Sequence, residues 1–424
     1  MFQNANQVIL KVTKGCNLRC KYCYVVDKDK YENDYMSFDT FKKVVDKIIF
    51  DKSKSSNDRS IDITFHGGEP TKLDKKTFYN MCEYAQYKMS IYNIGVKFSI
   101  QTNLTLIDEE WCNIFSKFNI SVGFSFDGIN DSNSMRNSLG EDFYKEKIDL
   151  LNKFKIKNGC LLVANNKNIE NIDESLSYVK DVFHRSNCKI NYSEDVVCDF
   201  DEESDIEVSS NKYYEKHFVK QINDYIKTGS CFSSDVLVLI EKFIVNYLSM
   251  SRSFSPDYGN CYIKYCGSGV KVLEVNPDGS ITMCGRFGEE YDEVTFRDYN
   301  DFLNANQTKK LLEFHKNKIK YMRKIGCDSC IASSICDHGC MAFYFTKSKN
   351  NNKTEWGIRD DLVCGIFKPL YNFLLQNSEE IINAYFITHS ELVLSGEVYS
   401  NRIKNLSFSK QGDQTILRKV SNVI

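Results

Sequence analysis

The length, charge and cysteine content of the chain exclude several classes of protein. At 424 residues it exceeds the usual size of a single core, so about two to three structural units are expected. With 55 Lys and Arg against 57 Asp and Glu, the net charge of −2 gives no general attraction for nucleic acid or anionic lipid. No apolar run could span a bilayer and no export signal is apparent, so we expect a cytoplasmic protein without membrane or nucleic-acid partners. In such a protein, 17 cysteines indicate metal sites or catalytic thiols rather than a disulfide framework.

The amino-terminal half of the chain alternates short apolar, β-branched runs with segments of helical periodicity. This alternation predicts right-handed parallel βαβ units and therefore an α/β fold. The predicted strands cover residues 7–13, 61–66, 96–101, 120–126, 160–164 and 188–192. The predicted helices cover residues 38–50, 75–90, 108–117, 143–154 and 172–182, and two more follow at 211–227 and 235–249.

Polar and turn-forming residues follow every predicted strand. The segments are residues 14–24, His66-Gly67-Gly68-Glu69-Pro70, Gln101-Thr102-Asn103, Ser125-Phe126-Asp127-Gly128, Asn165-Asn166 and Asn191-Tyr192-Ser193-Glu194-Asp195. Each of them, taken alone, is equally typical of an ordinary turn. In a parallel barrel, however, the carboxyl ends of the strands share one face, where active sites lie. We therefore expect these segments to converge on one site.

The first of these segments contains Cys16, Cys20 and Cys23 in a C-x₃-C-x₂-C pattern. A structural zinc site normally closes with four ligands, whereas three closely spaced thiolates can hold three irons of a [4Fe–4S] cluster and leave the fourth iron open. The pattern therefore favours an iron–sulfur cluster over a zinc ion. The alternative is a loop that binds adventitious metal.

This pattern resembles the signature of the radical S-adenosylmethionine (SAM) enzymes, in which the three cysteines are followed by an aromatic residue, here Tyr24. The resemblance implies that SAM chelates the open iron, and that an electron from the reduced cluster cleaves SAM to methionine and a 5′-deoxyadenosyl radical. The cofactor supplies that radical chemistry, while the protein supplies orientation and excludes side reactions. The resemblance also implies a partial (β/α)6 barrel of the TIM type over residues 1–200.

The same resemblance implies which residues contact SAM. The segment from Gly67 to Pro70 is similar to the GGEP motif, which positions the amino group of SAM largely through backbone groups. Ser125 is similar to a serine that lies near the SAM ribose. His66 is either a hydrogen-bonded structural residue or a proton donor. The implied SAM-binding residues are Tyr24, Gly67, Gly68, Glu69, Pro70, Gln101, Asn103, Ser125, Asp127, Arg136 and Asn165.

A second group of cysteines lies in the carboxyl-terminal half, where the turn segment Asn276-Pro277-Asp278-Gly279 also predicts a β-hairpin over residues 271–284. The eight residues are Cys261, Cys266, Cys284, Cys327, Cys330, Cys336, Cys340 and Cys364. Eight thiolates suffice for two fully ligated [4Fe–4S] clusters or for two zinc ions. Spacing alone does not distinguish these two possibilities.

This second cysteine pattern resembles the SPASM domain of peptide-modifying radical SAM enzymes. The resemblance implies two auxiliary [4Fe–4S] clusters, one held by Cys261, Cys266, Cys284 and Cys340 and the other by Cys327, Cys330, Cys336 and Cys364. The chain would thus hold three clusters, and the SPASM domain would depend on metal to fold. The predicted domains are the barrel at 1–200, a helical bridge at 201–260, the SPASM domain at 261–368 and an extension of unknown role at 369–424.

The two resemblances together imply a maturase that abstracts hydrogen from a residue of a ribosomally synthesised peptide and forms a thioether or carbon cross-link. Its partners would be that peptide or protein and a one-electron donor such as flavodoxin or ferredoxin. An alternative is an anaerobic sulfatase-maturing enzyme that makes formylglycine; that family has an aspartate after the third SPASM cysteine, where this chain has Gly285 after Cys284. Candidate acid–base residues are Glu194, Asp195 and Tyr24. A third, non-catalytic alternative is a zinc-binding interaction protein.

Overall fold

The computed structural model describes most of the predicted barrel and separate segments of the carboxyl-terminal half. The described residues are 2–23, 33–54, 59–136, 139–184, 188–192, 210–231, 233–248, 267–287, 295–297, 305–336, 345–347, 354–356, 360–388, 406–411 and 414–419. Several predicted site residues lie outside these ranges, namely Tyr24, Glu194, Asp195, Cys261, Cys266 and Cys340. The roles assigned to them from the sequence stay predictions.

The centre of the fold is a sheet in which six strands run parallel in the order β6-β5-β4-β3-β2-β1. The strands are β1 Gln7–Thr13, β2 Ser60–Gly67, β3 Gly95–Thr102, β4 Ser121–Ser125, β5 Asn158–Ala164 and β6 Cys188–Tyr192. Neighbouring strands follow one another in the chain and are joined through helices, as in successive βαβ units. The predicted α/β class and the six-strand parallel arrangement are confirmed, with strand ends that differ from the prediction by one or two residues.

Five helices connect these strands and cover one face of the sheet. They are α1 Phe38–Lys52, α2 Lys75–Ile91, α3 Glu109–Lys117, α4 Glu141–Lys153 and α5 Ile172–Asp181. The first three begin at side chains that accept a hydrogen bond from a backbone N–H of the first turn, namely Ser37, Asp74 and Asp108. Such a cap stabilises a helix by about 1 kcal/mol, which explains where these helices begin.

The two faces of the sheet differ in polarity. Val8 and Val12 of β1 are fully buried in the core formed with the helices. On the opposite, concave face, Gln7 Nε2 donates to Thr64 Oγ1 at 2.8 Å, and Thr64 Oγ1 shares a hydrogen bond of 2.9 Å with Ser99 Oγ. A barrel interior lined by such groups suits a polar ligand better than one filled by layers of branched apolar side chains.

The predicted hairpin is present and joins the barrel sheet. It consists of β7 Val272–Val275 and β8 Ile281–Thr282, and a short strand, β9 Thr295–Phe296, pairs with β8. Gly279 has a φ of +89° in the turn, where its N–H donates to the Asn276 carbonyl at 2.9 Å. Strand β7 pairs in parallel with β1. A segment that the sequence assigned to the cysteine-rich domain therefore extends the barrel sheet.

Helices dominate the rest of the described chain. They are α6 Ser210–Tyr213, which continues through a π-helical segment Tyr214–Val219 into α7 Lys220–Thr228, then α8 Ser234–Tyr247, α9 Ala305–Lys324, α10 Ser333–Cys336, α11 Asp360–Gln376 and α12 Ser378–Thr388. Two small hairpins are β10 Phe345–Lys347 with β11 Thr354–Trp356, and β12 Leu406–Gln411 with β13 Gln414–Lys419. Helix α11 contains Pro369, so the predicted boundary between residues 368 and 369 falls inside it. Within the described ranges, no helix combines the length and apolar character needed to cross a bilayer.

Candidate active site

The cysteine loop, residues 14–23, is fixed by hydrogen bonds to the segment that follows β2. The Gly68 N–H donates to the Thr13 carbonyl at 2.8 Å, and the Glu69 N–H donates to the Gly15 carbonyl at 2.9 Å. The Gly15 N–H in turn donates to Thr13 Oγ1 at 3.0 Å. The GGEP segment therefore uses one backbone N–H to hold the end of β1 and another to hold the cysteine loop.

Two glycines permit this close approach. A Cβ atom on Gly67 would lie 1.9 Å from the Thr13 carbonyl oxygen, and one on Gly68 would lie 2.2 Å from the Gly15 carbonyl oxygen. Both neighbours are backbone atoms, which cannot turn away as a flexible side chain could. Gly67 also has a φ of +143°, which side-chain-bearing residues rarely adopt. Glycine is therefore required at both positions if the loop is to rest on the end of β2.

The three cysteines of the loop are half-buried. The Leu18 N–H donates to Cys16 Sγ at 3.4 Å, and Asn103 Nδ2 lies 3.9 Å from the same sulfur. The Cys23 N–H donates to the Cys20 carbonyl at 3.1 Å, which makes a tight turn between these two residues. N–H groups directed at a thiolate sulfur stabilise its negative charge and tune the potential of a bound cluster.

The Glu69 carboxylate is buried and accepts four hydrogen bonds. Its Oε1 accepts from the Thr71 N–H at 3.1 Å, the Thr71 hydroxyl at 2.6 Å and the Thr102 hydroxyl at 2.7 Å, while Oε2 accepts from the Asn103 N–H at 2.7 Å. Burial raises the pKa of this carboxyl, and the hydrogen bonds oppose that shift. The side chain thus joins the ends of β2 and β3. Its predicted contact with SAM stays a prediction.

Asn103 connects the end of β3 with the cysteine loop. Its Nδ2 donates to Asn17 Oδ1 at 3.0 Å, while its Oδ1 accepts from the Thr105 hydroxyl at 2.6 Å. On the concave face, Gln101 Nε2 donates to Ser125 Oγ at 3.0 Å. The structure therefore brings together predicted residues from the ends of β3 and β4 and from the cysteine loop.

Asp127 is fully buried beside two other polar side chains, Tyr22 and Arg136. The Tyr22 hydroxyl donates to Asp127 Oδ2, Arg136 Nε lies 3.8 Å from the same oxygen, and the Val163 N–H donates to Oδ1 at 3.2 Å. Burial raises the pKa of Asp127, against the opposing effects of Arg136 and Tyr22. Burial also raises the pKa of Tyr22 well above its usual value. Tyr22 was not among the predicted site residues, although an aromatic residue between two predicted cluster cysteines was a visible signal.

Two further predicted residues have structural partners. His66 Nδ1 accepts a hydrogen bond from the Gly67 N–H at 2.8 Å, and burial lowers the pKa of this imidazole. This hydrogen bond gives the ring a structural partner, and the choice between a structural residue and a proton donor stays a prediction. Asn165 Oδ1 accepts from the Lys167 and Asn168 N–H groups at 2.9 and 3.2 Å. These bonds hold the loop after β5, and an Asn165 contact with SAM stays a prediction.

Comparison with known proteins identifies the superfamily. Residues 10–179 match the family model described as the Radical SAM superfamily. The matched segment contains the cysteine loop, the GGEP segment and the strand ends around them. The chain contains a radical SAM domain.

Relatives of this radical SAM enzyme include proteins similar along most of its length. A cysteine-type anaerobic sulfatase-maturating enzyme of Clostridium novyi is 25% identical over 385 residues, 87% of this chain and 95% of that protein. A serine-type anaerobic sulfatase-maturating enzyme of Bacteroides thetaiotaomicron is 30% identical over 174 residues, 39% of this chain and 41% of that protein. The solved structure of native anSMEcpe with bound AdoMet and Cp18Cys peptide matches with a TM-score of 0.68 at 20% identity, covering 89% of this chain and 98% of that chain. The structural likeness shows a shared fold.

The cysteine loop fits the [4Fe–4S] cluster that radical SAM enzymes use together with SAM. Its three half-buried cysteines lie on a loop that backbone hydrogen bonds hold in place. A single zinc ion would need its thiolates about 2.3 Å from one point. In the described part of the chain, no three His, Cys, Asp or Glu side chains converge closely enough to hold a single ion.

Four cysteines of the second group line one cavity of the radical SAM enzyme. Cys327 and Cys330 come from the turn after α9, Cys336 from α10 and Cys364 from α11. Burial raises the pKa of the Cys327 thiol to about 11, and the neighbouring Cys364 and Cys330 add to the shift. Thiols this close repel one another as thiolates unless a cation or cluster neutralises them. The structure thus brings together all members of one predicted set, whereas only Cys284 of the other set lies in the described ranges.

Proposed function

We propose that this radical SAM enzyme is a protein-modifying oxidase of the anaerobic sulfatase-maturating type. The observation that carries the proposal is the similarity to the Clostridium novyi enzyme, which extends over 95% of that protein and thus beyond the barrel. The solved relative contains a Cp18Cys peptide, which supports a peptide or protein substrate. These comparisons favour the formylglycine alternative over the thioether or carbon cross-link that the sequence analysis put first.

In this proposal Cys16, Cys20 and Cys23 hold the SAM-binding cluster. A reduced [4Fe–4S] cluster with bound SAM supplies a 5′-deoxyadenosyl radical, which abstracts hydrogen from carbon. The chain holds the loop in position through Gly68 and Glu69 and directs N–H groups at Cys16 Sγ. An external one-electron carrier such as flavodoxin or ferredoxin supplies the electron.

The strand ends contribute the SAM site. Gln101, Asn103 and Ser125 are hydrogen-bonded to one another or to the cysteine loop, which places amide and hydroxyl groups beside the cluster position. The buried set of Asp127, Tyr22 and Arg136 holds the loop after β4 against the cysteine loop. We assign these groups to binding and orientation because their hydrogen bonds fix them before any ligand arrives.

The second cysteine group would hold two auxiliary [4Fe–4S] clusters. The cavity lined by Cys327, Cys330, Cys336 and Cys364 supports one of them. Four protein thiolates per cluster leave no open iron, so we assign these clusters to electron transfer rather than to substrate ligation. They would accept the electron that the oxidised substrate releases.

The cross-linking alternative keeps one specific observation in its favour. Sulfatase-maturing enzymes have an aspartate directly after the third SPASM cysteine, whereas in this chain the corresponding Cys284 is followed by Gly285. A thioether maturase shares the first hydrogen abstraction but joins the substrate radical to a second residue. Product analysis therefore separates the two functions.

The test uses anaerobically reconstituted full-length enzyme, SAM, dithionite and one of two peptides. One peptide copies the modified segment of a cysteine-type sulfatase, and the other is a cysteine-rich peptide of the same length. Conversion of cysteine to an aldehyde that reacts with a hydrazide probe supports the proposal. Loss of two hydrogens with a new cross-link supports the alternative. Iron-free protein, or protein that never releases 5′-deoxyadenosine, would overturn both.

A further inference from the structure

A buried ion pair lies on the concave face of the barrel sheet, where the hairpin joins it. Lys11 Nζ on β1 lies 2.7 Å from Glu274 Oε1 on β7. The Thr282 hydroxyl of β8 donates to the same oxygen at 3.0 Å. Glu274 is opposite Ile9 in the β1–β7 register, so both side chains project from the same face as Lys11. Glu274 is 0% exposed.

The second carboxylate oxygen of Glu274 is buried and has no hydrogen-bond partner in the part of the chain that the structure describes. Two other buried carboxylates of the barrel, Glu69 and Asp127, differ in this respect. Both oxygens of Glu69 accept hydrogen bonds, and both oxygens of Asp127 have polar partners. A buried carboxylate oxygen without a partner is costly, so Oε2 is a candidate to meet a ligand.

The position of Glu274 Oε2 in the sheet agrees with a role in the proposed oxidation of the substrate side chain. Lys11 is opposite His66 in the β1–β2 register, and His66 precedes the two glycines that hold the cysteine loop. Lys11 is two residues before Thr13, so it lies about 7 Å along the strand from the last residue of β1. The ion pair and the cysteine loop are therefore both connected to the carboxyl-terminal half of β1.

Oxidation of a cysteine or serine side chain releases a proton as well as an electron. After one hydrogen atom leaves Cβ, the carbon radical passes one electron to an auxiliary iron–sulfur cluster. The S–H or O–H proton leaves at the same stage, and a C=S or C=O double bond forms. Water then converts the C=S group to the aldehyde and releases hydrogen sulfide. A proton acceptor beside the substrate is therefore required, and Gly285 has no side chain that could serve.

We propose that Glu274 Oε2 accepts this proton. Lys11 and Thr282 fix the other oxygen, so the carboxylate has one defined orientation toward the substrate. The inference rests on the proposed oxidase function. It is separable from that function because hydrogen abstraction precedes the proton transfer and can be measured alone.

The test is Glu274→Gln in the full-length reconstituted enzyme, with a sulfatase-derived peptide deuterated at Cβ of its cysteine. The amide keeps the size of the side chain but cannot accept the proton. Deuterium should still appear in 5′-deoxyadenosine at close to the wild-type rate, while aldehyde formation falls roughly 100-fold. A wild-type enzyme that forms no aldehyde would refute the proposed function instead.

Ser280→Ala is the matched control, because it removes the hydrogen bond from Asn276 Nδ2 in the turn of the same hairpin and leaves Lys11, Glu274 and Thr282 unchanged. It should keep the wild-type ratio of aldehyde to 5′-deoxyadenosine even if the protein melts at a lower temperature. If the single variant does not fold, the Lys11→Met, Glu274→Gln double variant is measured in the same way, because it removes both charges of the ion pair. If aldehyde and 5′-deoxyadenosine fall in proportion, or neither falls, Glu274 is only part of the ion pair that ties the hairpin to β1.

Discussion

Replacing Gly68 by alanine tests whether the end of β2 positions the cysteine loop. The added Cβ would lie 2.2 Å from the Gly15 carbonyl oxygen, whereas ordinary contacts begin at 3.4 Å. The obstructing atoms belong to the Lys14 and Gly15 backbone, so the loop itself must move by roughly 1 Å, a displacement that can lower a rate about 100-fold. We expect the rate of 5′-deoxyadenosine formation to fall by that order. Crowding should also lower the free energy of unfolding by about 1–3 kcal/mol.

The assay for Gly68→Ala measures 5′-deoxyadenosine by chromatography under reducing, anaerobic conditions, together with the iron content of the barrel cluster. Gly159→Ala on β5 is the control, because a Cβ there meets nothing within 4 Å. It should cleave SAM at the wild-type rate. If Gly68→Ala also does so with full iron content, the backbone contact between the GGEP segment and the cysteine loop does not set the position of the cluster.

Three more predictions concern single residues. Cys16→Ala should abolish SAM cleavage while the auxiliary iron, measured by elemental analysis, remains; persistent 5′-deoxyadenosine would contradict the assignment of the cysteine loop. Cys330→Ala should remove iron from the cavity it shares with Cys327 and lower the melting temperature, with SAM binding retained in equilibrium dialysis. Burial lowers the pKa of the His217 imidazole to about 3. As the pH falls below the ordinary histidine pKa of about 6.5, His217 therefore takes up a proton in the unfolded chain but not in the folded chain. Stability should thus drop by about 2 kcal/mol between pH 6.5 and 5. Chemical denaturation at both values should show a smaller drop for His217→Gln, and an equal drop would exclude this residue as the cause.

The barrel strands could be predicted because their signal is local. Residues 7–13, for example, are a short run rich in β-branched residues, and the structure places β1 at this same position. The cysteine loop was equally visible, because the spacing of its thiols is itself the chemical requirement. Both features depend on residues close together in the chain.

The pairing of distant segments could not be predicted in the same way. The apolar residues of β7 predict a strand but do not identify the strand that pairs with it. Only the folded chain shows that β7 pairs with β1. The contact between Tyr22 and Asp127 joins residues far apart in sequence, and neither residue type specifies the other. The four hydrogen bonds of Glu69 could not be predicted for the same reason, since their donors come from three residues around the ends of two strands.

Strand β1 pairs with two strands that carry different parts of the proposed active site. On one side, β2 ends in the glycines that hold the cysteine loop. On the other side, β7 carries Glu274, and its hairpin runs directly to Cys284, a predicted auxiliary-cluster ligand. The radical would be generated beside one edge of β1, and the electron and proton would leave beside the other. All three groups are thus connected to β1, because the cysteine loop follows this strand and because Glu274 and Cys284 belong to the hairpin that pairs with it.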